Sequence, residues 1–299
     1  HLVALISTLE NSQMKKTLIA MAAVAVTGGA MAQATISGSL GFGVQDSSTT
    51  AKNIGWTDTY INFSASEDLG GGMSITAKQS LQGVGGDTAD VTSNGTSLSL
   101  AGGFGAITFA SVGAAADNLS VASLPSSTNT VFGGSTNAYT YLDYKMPTLV
   151  DGLTIVVRAN QGNADAVALT DEDLQYRVDY TSGPFSANFR TTTGAAEAGG
   201  SFDLGVAKIS FQADTTRAET SITTMKRTAY SLVVPVSSAL TASMSHSTRA
   251  AYTGSYETSG TEFNATYALS KRTSLSINYG TMTDSSDVDT SAHRIKLVH

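Results

Sequence analysis

Apolar and polar residues alternate one by one along most of this chain. That period of two restricts it to strands with one dry and one wet face. In residues 173–180, Leu174, Tyr176, Val178 and Tyr180 fall on one face, and Asp173, Gln175, Arg177 and Asp179 on the other. Residues 185–190 set Phe185, Ala187 and Phe189 against Ser186, Asn188 and Arg190. Residues 208–214 set Ile209, Phe211 and Ala213 against Lys208, Ser210, Gln212 and Asp214. The pattern returns at 262–269, 273–279 and 294–297. A helix would space its apolar residues three to four apart, and these segments do not. About sixteen such segments can be counted, an even number, as closed bacterial membrane barrels have. Among them are 95–101, 199–203, 262–269 and 293–299. Tight turns at 67–72, 102–105, 181–184 and 270–272 alternate with longer polar connections, such as 249–260 and 283–292. Short turns on one rim and long loops on the other are the topology of an outer-membrane barrel.

A soluble β-sandwich would alternate too, so composition has to separate the two. Only 14% of the 299 residues are charged, against about 25% in an ordinary soluble domain. Beyond the N-terminus there is no apolar run approaching the ~20 residues of a membrane-spanning helix. Low charge on the polar face, with aromatic residues at strand ends, fits a chain whose outer face meets lipid and whose inner face meets water. The expected fold is therefore all-β: a transmembrane antiparallel β-barrel over residues 33–299 in outer-membrane lipid. Trp56 and the tyrosines suit interfacial girdles. The formal net charge of −7, without a basic stripe interleaved with aromatics, leaves no footprint for nucleic acid.

The N-terminus reads as an export address. Met14-Lys15-Lys16 is a positive start, 17–26 is a short apolar stretch, and Ala30-Met31-Ala32 is a small-x-small cleavage motif. Residues 14–32 are thus expected to be a signal peptide, with Gln33 the first mature residue. The apolar stretch is too short to span a bilayer and ends in Thr27-Gly28-Gly29. Residues 1–13 are read as a mis-assigned upstream start or an added extension.

A barrel of about sixteen strands is too wide for side chains to fill and leaves an aqueous lumen. The connection 113–137 is long, small and polar, with one acid, Asp117. Loops of this length within a compact fold are usually functional. It is expected to be the third long loop, folded into the lumen, with Asp117 facing the inward basic residues Lys78, Arg158, Arg177 and Arg190. Opposed charges across a narrow wet passage would set its selectivity. Asp173, Gln175, Asp179 and Lys208 are expected to face the lumen as well. The alternative is an external loop, with the basic residues balancing Asp173 and Asp179.

Four motifs, in order, carry a family resemblance: Ser66-Glu67-Asp68-Leu69-Gly70-Gly71-Gly72, Gly102-Gly103-Phe104-Gly105-Ala106-Ile107-Thr108, Phe202-Asp203-Leu204-Gly205-Val206-Ala207-Lys208 and Tyr267-Ala268-Leu269-Ser270-Lys271-Arg272-Thr273. With the signal peptide before them, the chain from Met14 to His299 resembles the general-diffusion porins of Gram-negative bacteria. The resemblance implies a homotrimer, a constricting third loop, and passage of ions and small hydrophilic solutes. The family commonly carries arginine near Tyr60 and near Ser111, where this chain has none, which weakens the expected basic cluster. The family also ends in an aromatic residue, so the resemblance implies residues beyond His299.

No catalytic constellation stands out, and neither an enzyme activity nor a cofactor is expected. Acyl-transfer chemistry would need Ser or Asp near a histidine with an orienting group, and His246 lies on the apolar face of Leu240, Ala242 and Met244. Asp284, Asp287 and Asp289 share a loop, but their spacing matches no calcium loop, and no metal site is expected. Two other functions stay open. A substrate-selective channel would need an aromatic track along the lumen. A structural or adhesive barrel would need a filled interior.

Overall fold

The computed structural model describes residues 33–48, 52–83, 91–112, 139–161, 174–192, 195–217, 224–251, 257–283 and 286–299. These hold sixteen strands: β1 (Gln33–Ser47), β2 (Asn53–Gly70), β3 (Met73–Gln82), β4 (Thr92–Gly102), β5 (Gly105–Val112), β6 (Tyr139–Lys145), β7 (Leu153–Gln161), β8 (Leu174–Ser182), β9 (Phe185–Thr192), β10 (Ala195–Asp203), β11 (Lys208–Arg217), β12 (Thr224–Pro235), β13 (Leu240–Ala251), β14 (Glu257–Ala268), β15 (Ser274–Thr283) and β16 (Asp289–Val298). Each pairs antiparallel with its neighbours in chain order, and β1 pairs with β16 to close the barrel. Closure leaves no strand edge unpaired, the one way a sheet can satisfy its backbone inside lipid. The connection 113–137, with Asp117, lies outside the described residues. So do Asp173 and the expected signal peptide.

Several strands run further than alternation suggests. The segment 95–101 is the middle of β4, 199–203 the second half of β10, and 293–299 covers the end of β16, which stops at Val298. The expected loops 249–260 and 283–292 shrink accordingly, because β13 continues to Ala251 and β16 begins at Asp289. Alternation is visible only where one face carries large apolar groups. Backbone pairing continues past that belt into Thr, Ser, Gly and Ala.

The tight-turn rim repeats one local device. Asp68 and Asp203 each accept, through Oδ1, the backbone N–H two residues on, at 2.8 and 2.7 Å. Ser270 Oγ does the same for Arg272 and Thr273, and Ser237 Oγ for Ala239 and Leu240. A short side chain that replaces the missing backbone acceptor is what favours Asp and Ser in turns. Gly152 sits at φ +80° with the Thr181 carbonyl against the place where a Cβ would stand, so only glycine fits there.

The two faces settle the architecture. Large apolar side chains stand exposed on the outside of every strand pair, including Phe42, Trp56, Phe109, Phe189, Phe211, Phe263 and Ile295. Buried hydrophobics among the described residues come down to Ala110, Ala229 and Ala292, whereas Arg158, Glu197, Gln212, Glu262 and Asn278 are buried. A sandwich would bury its large apolar side chains between two sheets. Here they point outward and the polar groups inward, as lipid outside and water inside require.

Candidate functional site: the lumen wall

Register decides which inward side chains meet. On β6 and β7, Asp143 lies directly opposite Arg158. Arg158 donates from Nε to Oδ1 at 2.7 Å and from Nη2 to Oδ2 at 2.8 Å, a two-pronged grip of the carboxylate. Its guanidinium also lies 3.6 Å from the centroid of the Tyr141 ring, a cation–π contact. Arg158 is 4% exposed, so its charge is already engaged by Asp143 and Tyr141.

From β8 to β13 the register builds one continuous row. Arg177 stands opposite Arg190, Arg190 opposite Glu197, Glu197 opposite Asp214, Asp214 opposite Arg227, and Arg227 opposite Arg249. The signs run plus, plus, minus, minus, plus, plus. Like charges directly across a strand pair repel, so the row holds only through its unlike neighbours. Arg190 Nη2 reaches Glu197 Oε2 at 3.1 Å, and Arg227 Nη2 reaches Asp214 Oδ2 at 2.7 Å. Arg177 binds Asp179, two residues along its own strand, at 2.7 Å. Glu197 is 3% exposed, where an unpaired carboxylate would be costly. Further round the barrel, Arg294 donates to Gln45 Oε1 at 2.9 Å.

Lys78, on β3, stands apart from the three arginines, which sit on the consecutive strands β7, β8 and β9. It shares a row with Ser64, Ser97, Ala110 and Tyr141. Gln175 lies opposite Arg158, and Lys208 opposite Asp203 and Val233 near the tight-turn rim. The inward row members Glu197, Asp214, Arg227 and Arg249 escape a sequence-level list. Asp214 was visible on a polar face, but only pairing reveals that it lies beside Glu197 and Arg227.

His246 is held on the outer face by Thr261 Oγ1 at 2.8 Å, beside the Tyr230 ring. Of the other described histidines, His293 lies 3.7 Å from Asp46 on the outer face, and His299 bonds the Thr273 hydroxyl at 2.8 Å. Among the described residues, no group of three or more His, Cys, Asp or Glu side chains could hold a metal ion. Asp284 lies outside them.

A polar, charge-lined interior inside a closed sixteen-stranded barrel coincides with a family match. The family model for Gram-negative porins matches residues 18–287. The chain belongs to the Gram-negative porin family. Solved structures share the fold at low sequence identity. An anion-selective porin from Comamonas acidovorans is 16% identical, with a TM-score of 0.70 over 90% of this chain and 99% of that one. The trimer form of Vibrio cholerae OmpT is 13% identical, with a TM-score of 0.67 over 90% and 99%. The outer-membrane channel DcaP of Acinetobacter baumannii is 12% identical, with a TM-score of 0.67 over 90% and 97%. No curated protein sequence matches this chain. This porin is an outer-membrane channel for passive diffusion of small solutes.

Proposed function

We propose that this porin is a non-enzymatic, weakly selective general-diffusion pore with a modest preference for anions. The supporting observation is how charge is distributed on the inner wall. Asp143, Asp179, Glu197 and Asp214 are each held by an arginine. Lys78, Lys145, Lys208 and Arg249 also face inward, and no carboxylate holds them among the described residues. Over the described strands the inward cations Lys78, Lys145, Arg158, Arg177, Arg190, Lys208, Arg227, Arg249, Arg294 and Lys296 outnumber the inward carboxylates Asp68, Asp143, Asp179, Glu197, Asp203, Asp214 and Glu262, so mobile ions meet a net positive wall. The narrowest zone is assigned to Arg158, Arg177 and Arg190 on one side and Lys78 on another, with Asp117 on the third loop opposing them. Asp173, Gln175, Asp179 and Lys208 line the passage around it. The family resemblance and the trimer form of OmpT support a homotrimer in outer-membrane lipid. The Met14–Ala32 pattern supports export with cleavage before Gln33.

Reconstitution in a planar bilayer tests the proposal. Large ohmic steps, with a reversal potential in a KCl gradient displaced toward chloride, are expected. Silence would end the open-pore reading, and displacement toward potassium would end the anion preference. Asp117→Asn and Arg177→Ala should shift selectivity in opposite directions. If neither moves conductance or selectivity, the constriction assignment is wrong.

A further inference from the structure

We infer that the inner wall of β1–β6 holds a solute subsite for small polyhydroxylated anions, sugars or polyols that end in a carboxylate or phosphate. The inference rests on the open-pore reading above. A niche of about 540 Å³ opens on this wall. Two adjacent rows of the sheet make its floor. One runs through Ser64, Lys78, Ser97, Ala110 and Tyr141, and the other through Ser37, Asn62 and Ser80.

Three properties define the ligand. First, Lys78 is the lone cation lining the niche. Among the described residues it makes no ion pair or hydrogen bond, and its ammonium is the niche's one point of attachment for an anionic group. Second, the hydroxyls of Ser64, Ser80 and Ser97 likewise bond no described residue. Asn94 Oδ1, at the niche edge, has no partner either. Unmet donors and acceptors this close together suit a chain of hydroxyls, each of which both gives and accepts. Third, the two ends of the niche differ. Lys78 and Tyr141 are three strand spacings apart, about 14 Å, and the residues between them, Ser97 and Ala110, are small. Tyr141 is pinned by Arg158, which makes it a fixed aromatic wall against which the carbon skeleton of a sugar can pack. An anionic head on Lys78, hydroxyls over the serines and an apolar flank toward Tyr141 fill this space. A bare carboxylate or an uncharged sugar would use only part of it.

Single-channel recording tests this, with gluconate and glucose 6-phosphate as probes and acetate and glucose as controls. Both probes are expected to cause concentration-dependent interruptions of the open current, with the controls at least tenfold weaker. Interruption by one probe alone would fix the head group as carboxylate or phosphate and still support the subsite. Lys78→Gln should weaken the block about tenfold. Arg249→Gln, at the far end of the charged wall, should alter conductance yet leave the half-blocking concentration within twofold. Equal weakening by both variants would mean general attraction of anions to the lumen and would overturn the subsite. Ohmic channels that neither probe interrupts would overturn the subsite while leaving the pore reading intact. A silent membrane would remove both.

Discussion

Two walls of one lumen are built in opposite ways. From β6 to β13 the inner wall is charged, and four of its carboxylates, Asp143, Asp179, Glu197 and Asp214, are clasped by arginines across or along the strands. From β1 to β5 it is mostly Ser, Thr, Asn and Gln, with Tyr60, Asp68 and, as its one cation among the described residues, Lys78, and hydroxyl-to-hydroxyl bonds recur, such as Thr108 to Ser99 at 2.9 Å. The contrast teaches that a barrel can divide labour round its circumference. The backbone ladder already holds every strand, so the inner side chains are free either to form a fixed electrostatic surface or to stay available to solutes. A wall of engaged arginines presents oriented charge at little mobility. A wall of small neutral hydroxyls, some bonded only to one another, presents hydrogen bonds that a passing solute can take up.

The sharpest way to break this contrast is Arg158→Ala. It would strand Asp143 beside an emptied, largely buried site, so unfolding in lipid vesicles should become easier by about 3–5 kcal/mol. A loss under 1 kcal/mol would mean that the charged wall is decoration. The next effect is on selectivity. Glu197→Gln combined with Asp214→Asn keeps hydrogen-bond acceptors for Arg190 and Arg227 but removes two negative charges. The chloride-to-potassium permeability ratio should rise roughly twofold in 0.1 M KCl, where the Debye length is about 10 Å. Lys78→Gln should lower the same ratio by less, because it removes one charge, and the change should fade in 1 M KCl, where the Debye length shrinks to about 3 Å. The smallest effect belongs to the hydroxyl wall. Thr108→Val deletes one neutral hydrogen bond and should cost only about 0.5–1.5 kcal/mol. A cost matching that of Arg158→Ala would erase the distinction between the walls.

Much of this was written along the chain. The faces of β8, β9 and β11 follow from alternation alone, because Tyr176, Phe189 and Phe211 cannot share a side with Arg177, Arg190 and Gln212. Lys78, Arg177 and Arg190 were recognisable as inward by parity. Less visible was the reach of strands such as β10, whose first half, Ala195 to Gly199, has no large apolar residue to mark a face. The row of charges was less visible still. Arg177 and Arg249 are far apart in sequence, and each link between them depends on a strand register that a local pattern does not contain.

By itself, the order of residues determined that this protein must be a sheet with an oily and a watery face, closed because an open edge in lipid cannot be satisfied. Side-chain period and composition are local properties and can be read locally. Only the tertiary structure decided which charges neutralise one another and which remain for the solute. Engagement is a matter of a few ångströms between strands, and the pairing register sets that distance.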